Sequence, residues 1–180
     1  ALQGVKVSVL DMADHVLPGF DPEFCEYVEN HLADHGIMTF TNTRLEGILG
    51  TDRVEKVKTQ KRAMKCDAVI LACTEISVFK EYSFLEGTSV ELMPNKTIRV
   101  NEYLQTNDSD IYAIGDCACV TNSITNVPAW SPMGSSANIE GRIAAQNIVG
   151  KELKYNGVLG TGVCKLPELN VGRTGLTEKQ

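Results

Sequence analysis

The chain has 180 residues, 43% of them hydrophobic, with 17 basic against 23 acidic side chains for a net charge of −6. That length suits one ordinary domain or two incomplete ones, and the apolar content excludes global disorder. An acidic balance without a basic patch argues against nucleic-acid and anionic-membrane partners, and the longest apolar run, residues 68–73, is too short to cross a bilayer.

Residues 5–10, VKVSVL, are rich in β-formers and predict a strand ending at Asp11. After the loop MADHVLPGF, Asp21-Pro22-Glu23 supplies an N-cap, a proline at the first helical position and an acid in the first turn. Phe24, Val28 and Leu32 then fall on one helical face with Tyr27 and His31, and Gly36 is a suitable stop. Residues 37–40 resume as a strand, so the first elements form a βαβ-type unit. From Arg44 to Met64 the pattern shifts to short runs with tight turns, an antiparallel meander. Residues 66–73 predict a strand covered on both faces. Residues 74–97 read as irregular, broken by Gly87 and Pro94, and 98–100 as a short strand. A buried strand over 111–114 runs straight into Gly115 and Asp116. The loop 117–132 holds Pro128, Trp130 and Pro132; a helix over 135–149 follows, stopped by Gly150. Two strand-like runs, 158–166 and 169–174, are split at Pro167.

Three places carry ligand chemistry. Asp11, at a strand end in a βαβ unit, suits the two ribose hydroxyls of an adenine dinucleotide and repels a 2′-phosphate, favouring NAD over NADP. An ordinary strand-end aspartate is the alternative, and the glycine fingerprint that should precede it is absent from these 180 residues. Asp116, after Gly115, suits a polyol chain or else caps its own turn. The small residues Gly134, Ser135, Ser136 and Ala137 at a helix start leave free N–H groups that suit an anionic or flat ligand, or else simply permit tight packing. A reduced flavin, negative near N1 and O2, is one such ligand. His31 and His35 lie one turn apart without a third ligand, so a packed or solvated pair is expected and no metal site. Met38, Met64 and Met93 read as core filler, and Glu23, Glu26 and Glu29 as a solvated helix face. The six cysteines, at 25, 66, 73, 117, 119 and 164, read as reduced thiols, with Cys117 packed behind the Gly-Asp turn.

The blocks VSVLDMADHVLPGFDPEF, VNEYLQTNDSDIYAIGDC, PMGSSANIEGRIAAQNIVG and GTGVCKL…LNVGRTGLTEKQ together resemble the FAD/NAD(P)-dependent pyridine nucleotide-disulfide oxidoreductases. Within them, the look is that of the branch holding NADH oxidases, coenzyme A-disulfide reductases and NADH-dependent persulfide reductases. The resemblance implies an α/β fold: Rossmann-like (FAD/NAD(P)-binding, three-layer ββα) pieces with an antiparallel β-meander, plus the start of an α+β dimerisation domain. It implies a NAD-binding domain over 1–98 lacking its first strand and fingerprint, the later part of an FAD-binding domain over 99–152, and the beginning of a dimerisation domain over 153–180. Both ends are therefore expected to fall inside structure, as the missing initiator methionine and the helix-start chemistry at Thr177 also suggest.

FAD and NAD are the implied cofactors. Asp116, with Gly115, would hold the ribityl chain; Gly134, Ser135, Ser136 and Ala137 would sit at the flavin ring and the nicotinamide; Asp11 and Phe20 would meet NAD. At Cys73 the family usually has a glycine followed by arginine-proline-asparagine, whereas this chain reads Cys73-Thr74-Glu75, which crowds the NAD path and adds negative charge to it. No cysteine matches the family's catalytic position, so no catalytic residue is assigned. The expected activity of the intact protein is hydride transfer from NADH to FAD and on to a disulfide, persulfide or oxygen, in a cytoplasmic homodimer acting on small molecules. The alternatives are a nucleotide-binding or partner-docking α/β module without redox chemistry, and an assembly role for 153–180.

Overall fold

The computed structural model describes residues 1–72, 82–178 and 180. The chain divides into two compact units, Ala1–Cys73 with Val163–Gln180, and Thr74–Gly162.

In the first unit, β1 (Val7–Leu10) pairs in parallel with β2 (Ile37–Phe40), and α1 (Pro22–Asp34) makes the crossover. This is the predicted βαβ arrangement. Helix α1 starts where its signals put it: Asp21 is extended, with φ −68° and ψ 146°, and its carbonyl accepts from the Phe24 and Cys25 amides. Gly36, at φ +71°, ends it in the left-handed conformation that glycine adopts without strain. The buried face is one residue away from expectation. Cys25, Val28 and Leu32 are buried, whereas Phe24 and Tyr27 are 58% and 62% exposed. Spacings of three and four around Val28 accommodate either Phe24 or Cys25, and the small thiol fits under the Leu17 and Phe20 carbonyls that its Sγ approaches.

Three strands, β3 (Leu45–Leu49), β4 (Lys56–Thr59) and β5 (Ala63–Lys65), form the antiparallel meander in sequential order. Two more, β9 (Gly162–Leu166) and β10 (Leu169–Arg173), are paired and joined at Pro167–Glu168. Leu166, Leu169 and Val171 pack on the core of Val16, Val28, Leu32 and Ile37. His31 meets the Pro167 carbonyl, His35 bonds the His31 carbonyl, and Glu168 lies 3.7 Å from His35 Nε2. The histidine pair is thus a packed seam between α1 and the turn. Glu29 is not a solvated residue: its Oε1 accepts from the Val16 amide at 3.0 Å and faces His15, fastening the loop between β1 and α1. Met38 is 54% exposed rather than core filler, because its side chain lies on the β2 face opposite buried Ile37.

The expected strand over 66–73 is not formed by its described residues. Ile70 is 90% exposed and Leu71 61%, and none of these residues lies in a described ladder. Apolar composition specifies a doubly covered strand only where neighbouring strands complete it.

In the second unit, β6 (Ile98–Arg99) pairs in parallel with β7 (Ala118–Thr121), which continues antiparallel into β8 (Pro128–Ala129). Helix α2 (Gly134–Ile148) covers them and ends at Val149, with Gly150 at φ +87°. Leu104, Ala113, Ala118, Val120, Ala144 and Val158 are among the residues of one core. Asn147, buried on α2, donates to the Tyr103 and Leu153 carbonyls and accepts from the Leu153 amide. One side chain therefore ties two loops to the helix. The strand expected over 111–114 is also absent: the segment carries a single bridge, Gln105–Tyr112, and the strand follows Gly115-Asp116 instead of leading into it.

Candidate functional site

The second unit gathers most of the expected ligand residues. Gly115–Cys117 forms one turn of 3-10 helix packed against the head of α2. Gly115 has φ +74°, and a Cβ there would stand 3.4 Å from the Ala137 Cβ. Glycine at 115 and alanine at 137 thus permit the close approach. The Asp116 carboxylate is exposed at the tip of this turn, and the Asp116 carbonyl accepts from the Trp130 indole N–H at 2.7 Å.

Met133 is the N-cap of α2 and supplies no side-chain cap. The Ala137 amide makes the first helical bond, to the Met133 carbonyl, so the Gly134, Ser135 and Ser136 amides precede the helical ladder. Gly134 and Ser135 are exposed, and Ser136 and Ala137 half-buried, with the Ser136 hydroxyl 3.4 Å from that of Ser131. An uncapped helix start, small side chains and a carboxylate at the adjoining turn fit a flat ligand with a polyol arm and partial negative charge.

Below this surface lies Glu140, 2% exposed, whose Oε2 accepts from the Gly115 amide at 2.7 Å. Glu140 and Ser136 are the side chains that bear on the Tyr155 phenol. Burial, the charge of Glu140 and the hydrogen bond to it push the Tyr155 phenol up from 10.0 to about 12. The unfolded chain therefore loses this proton first. The stability that Tyr155 contributes is complete below its ordinary pKa and is lost as pH rises through the shifted one. Tyr155→Phe is expected to flatten the stability loss between about pH 10 and about pH 12, measured as urea midpoints against the wild-type chain. Equal alkaline slopes in the two proteins would reject this.

Burial also pushes the Cys117 thiol up, reinforced by Asp116 and Glu140, and its Sγ approaches the Ile114 carbonyl at 3.3 Å. Burial first, then the acids around α1, raises Cys25. Neither thiol has the lowered pKa of a reactive cysteine. The five described cysteines are free, and no cluster of three or more metal-ligating side chains occurs among the described residues. No described helix is long and apolar enough to cross a membrane.

In the first unit, Asp11 follows β1 directly. Its amide donates to the Phe40 carbonyl, its carbonyl accepts from the Thr43 amide, and Oδ1 accepts from the Ala13 amide at 2.9 Å. The carboxylate is thus held at the C-terminal end of a parallel strand pair, where open α/β sheets bind ligands. Phe20 ends the following loop, with the Arg173 guanidinium 5.5 Å over its ring and bonded to the Gly19 carbonyl. Cys73 lies outside the described residues.

Sequence reasoning missed Glu140, Tyr155 and Trp130. Glu140 had a visible signal: it falls on the α2 face that carries Ala137, Gly141 and Ala144, where an acid is out of place. Tyr155 and Trp130 had none, since loop residues follow no period.

The chain is 38% identical to an NADH oxidase of Methanocaldococcus jannaschii over 176 residues, covering 97% of this chain and 38% of that protein. It is 35% identical to the NAD(P)H coenzyme A polysulfide/persulfide reductase of Pyrococcus horikoshii over 185 residues, covering 100% of this chain and 40% of that protein. A crystal structure of an FAD-dependent pyridine nucleotide-disulphide oxidoreductase from Desulfovibrio vulgaris superimposes with a TM-score of 0.84 at 29% identity, covering 98% of this chain and 44% of the other. The chain thus spans less than half the length of each of these three proteins. Its α/β architecture is that of Rossmann-like FAD/NAD-binding oxidoreductases. With residues 1–134 matching the family model for pyridine nucleotide-disulphide oxidoreductase, the chain belongs to that family.

Proposed function

We propose that this chain is the part of a flavoprotein oxidoreductase that holds a flavin ring at the head of α2 and a nicotinamide dinucleotide at Asp11. In this reading residues 1–98 are NAD-binding, 99–152 complete an FAD-binding domain and 153–180 begin a dimerisation domain. The observation that carries it is the uncapped start of α2 set against the Gly115–Asp116 turn.

Asp116 takes the ribityl hydroxyls, and the amides of Gly134, Ser135 and Ser136, with the helix dipole behind them, face the electron-rich edge of the ring. Ala137 and Gly134 leave room for close stacking. Asp11, its Oδ1 already oriented by Ala13, receives the NAD ribose, and Phe20 lies beside the dinucleotide. A flavin bound there would supply hydride acceptance from NADH and passage of the electrons to a disulfide, persulfide or oxygen. The whole protein is proposed to be a cytoplasmic homodimer using FAD and NAD and acting on small molecules, without nucleic-acid or membrane partners. The names of the Methanocaldococcus and Pyrococcus relatives support NADH oxidation and sulfur reduction as the reaction class.

The test is the visible spectrum of the full-length protein with and without NADH. A flavin band that bleaches anaerobically with NADH is expected, whereas the 180-residue chain alone is expected to retain little or no flavin. A colourless full-length protein that neither takes up FAD nor oxidises NADH would replace this reading with a non-redox binding module.

A further inference from the structure

The Gly115–Asp116 turn meets the segment before it through Cys117 Sγ on the Ile114 carbonyl, while the Gln105–Tyr112 bridge, with the Thr106 amide on the Ile111 carbonyl and the Ala113 amide on the Leu104 carbonyl, lies further back. The turn is held by two side chains: Trp130 on the Asp116 carbonyl and Glu140 on the Gly115 amide, each at 2.7 Å. Glu140 reaches the turn because its neighbours are small. Ala137 is one turn before it, and a Cβ on Gly141 would stand 3.4 Å from the Ile114 Cδ1. An uncompensated buried carboxylate costs several kcal/mol, so one retained on the buried face of a helix requires its donors.

We infer that Glu140 is a positioning residue, locking the Gly115–Asp116 turn through the Gly115 amide so that the ribityl-binding surface is preset before a ligand arrives. This rests on the flavin reading only for the identity of the ligand; the lock itself is a property of the chain. The ionisable groups that feel the Glu140 charge are Tyr155 and Cys117, with Asp116 beside Cys117 on the same turn.

Two variants separate positioning from bulk. Glu140→Gln keeps the volume and an oxygen for the Gly115 amide but removes the charge; Glu140→Ala removes both. Two quantities are read on the 180-residue chain, hydrogen exchange of the Gly115 amide and the alkaline titration of Tyr155, and a third on the full-length protein, binding of riboflavin, which has the ring and ribityl chain without the pyrophosphate. Gly115 exchange is expected to quicken by more than about tenfold in Glu140→Ala and to be largely rescued in Glu140→Gln. The Tyr155 midpoint is expected to fall in both, with Tyr155→Phe identifying the signal among the five tyrosines. Riboflavin affinity is expected to follow Gly115 exchange, not the Tyr155 midpoint.

A merely structural Glu140 would move all three together with global stability and show no rescue, and that outcome overturns the inference, as does unchanged Gly115 exchange in Glu140→Ala. Should Glu140→Ala fail to fold, rescue is judged on Glu140→Gln alone: protected Gly115 with a lowered Tyr155 midpoint supports the lock, and exposed Gly115 rejects it. If the full-length wild-type protein does not bind riboflavin while exchange and titration behave as expected, the lock stands and the flavin assignment is what fails.

Discussion

Leu104→Ala is expected to destabilise the second unit by about 2–5 kcal/mol. Leu104 is 0% exposed and belongs to the core with Ile98, Ala113, Ala118, Val120, Ala144 and Val158. Five of those six partners are alanine or valine, so short side chains make up most of that buried cluster and cannot swing in to fill the space. The backbone does not relieve the loss. Leu104 sits at φ +65°, in the left-handed region, held by its amide on the Asn101 carbonyl and its carbonyl on the Ala113 amide. Alanine retains a Cβ and therefore the conformational penalty, while forfeiting the packing that offsets it. Leu104→Gly would relieve roughly 1–2 kcal/mol of backbone strain but open a larger void, so it is not expected to restore stability. Urea unfolding should show a lowered midpoint at constant slope. A loss below about 1 kcal/mol would mean that this core collapses around the deletion.

The second large effect concerns nucleotide choice. Asp11→Ala is expected to reduce the preference of the full-length protein for NADH over NADPH by about ten- to a hundredfold, since each tenfold is about 1.4 kcal/mol and a hydrogen bond to a charged group contributes about 1.5–3. The carboxylate does two things in the proposed site: it accepts from ribose hydroxyls and it repels a 2′-phosphate. Asp11→Asn separates them. It keeps an oxygen for the Ala13 amide and ribose contacts while removing the repulsion, so NADPH binding should improve with a smaller loss for NADH. Dissociation constants for both nucleotides, followed by fluorescence, decide the matter. Equal weakening for both would reduce Asp11 to a cap on its own turn.

Local chemistry in the sequence was enough to place much of this fold. The Asp21-Pro22-Glu23 start, the Gly36 and Gly150 stops and the turns of the meander all act within a few residues, and the structure has them where local rules put them. The segments 66–73 and 111–114 failed for the opposite reason. Their composition encodes a buried strand, but a strand is completed by partners distant in sequence, and composition says nothing about whether those are paired with it. At the site, Asp116 and the small residues at the head of α2 could be read because glycine and uncapped helix starts have local signatures. Glu140 could have been read from helical period alone, as an acid on the face of Ala137, Gly141 and Ala144. Trp130 and Tyr155 reach the site from loops, and only the folded chain brings them there.

The bare segment around Ile70 and Leu71 bears on how the isolated chain behaves in the tube. Two large aliphatic side chains exposed at 90% and 61%, in a run of β-forming residues, are a template for pairing between molecules. Self-association should therefore be governed by protein concentration rather than by unfolding, setting in at temperatures where both cores are intact. Light scattering at rising concentration, repeated with Ile70→Lys, would separate the two: the lysine would clear the solution while the urea midpoint stayed where it was.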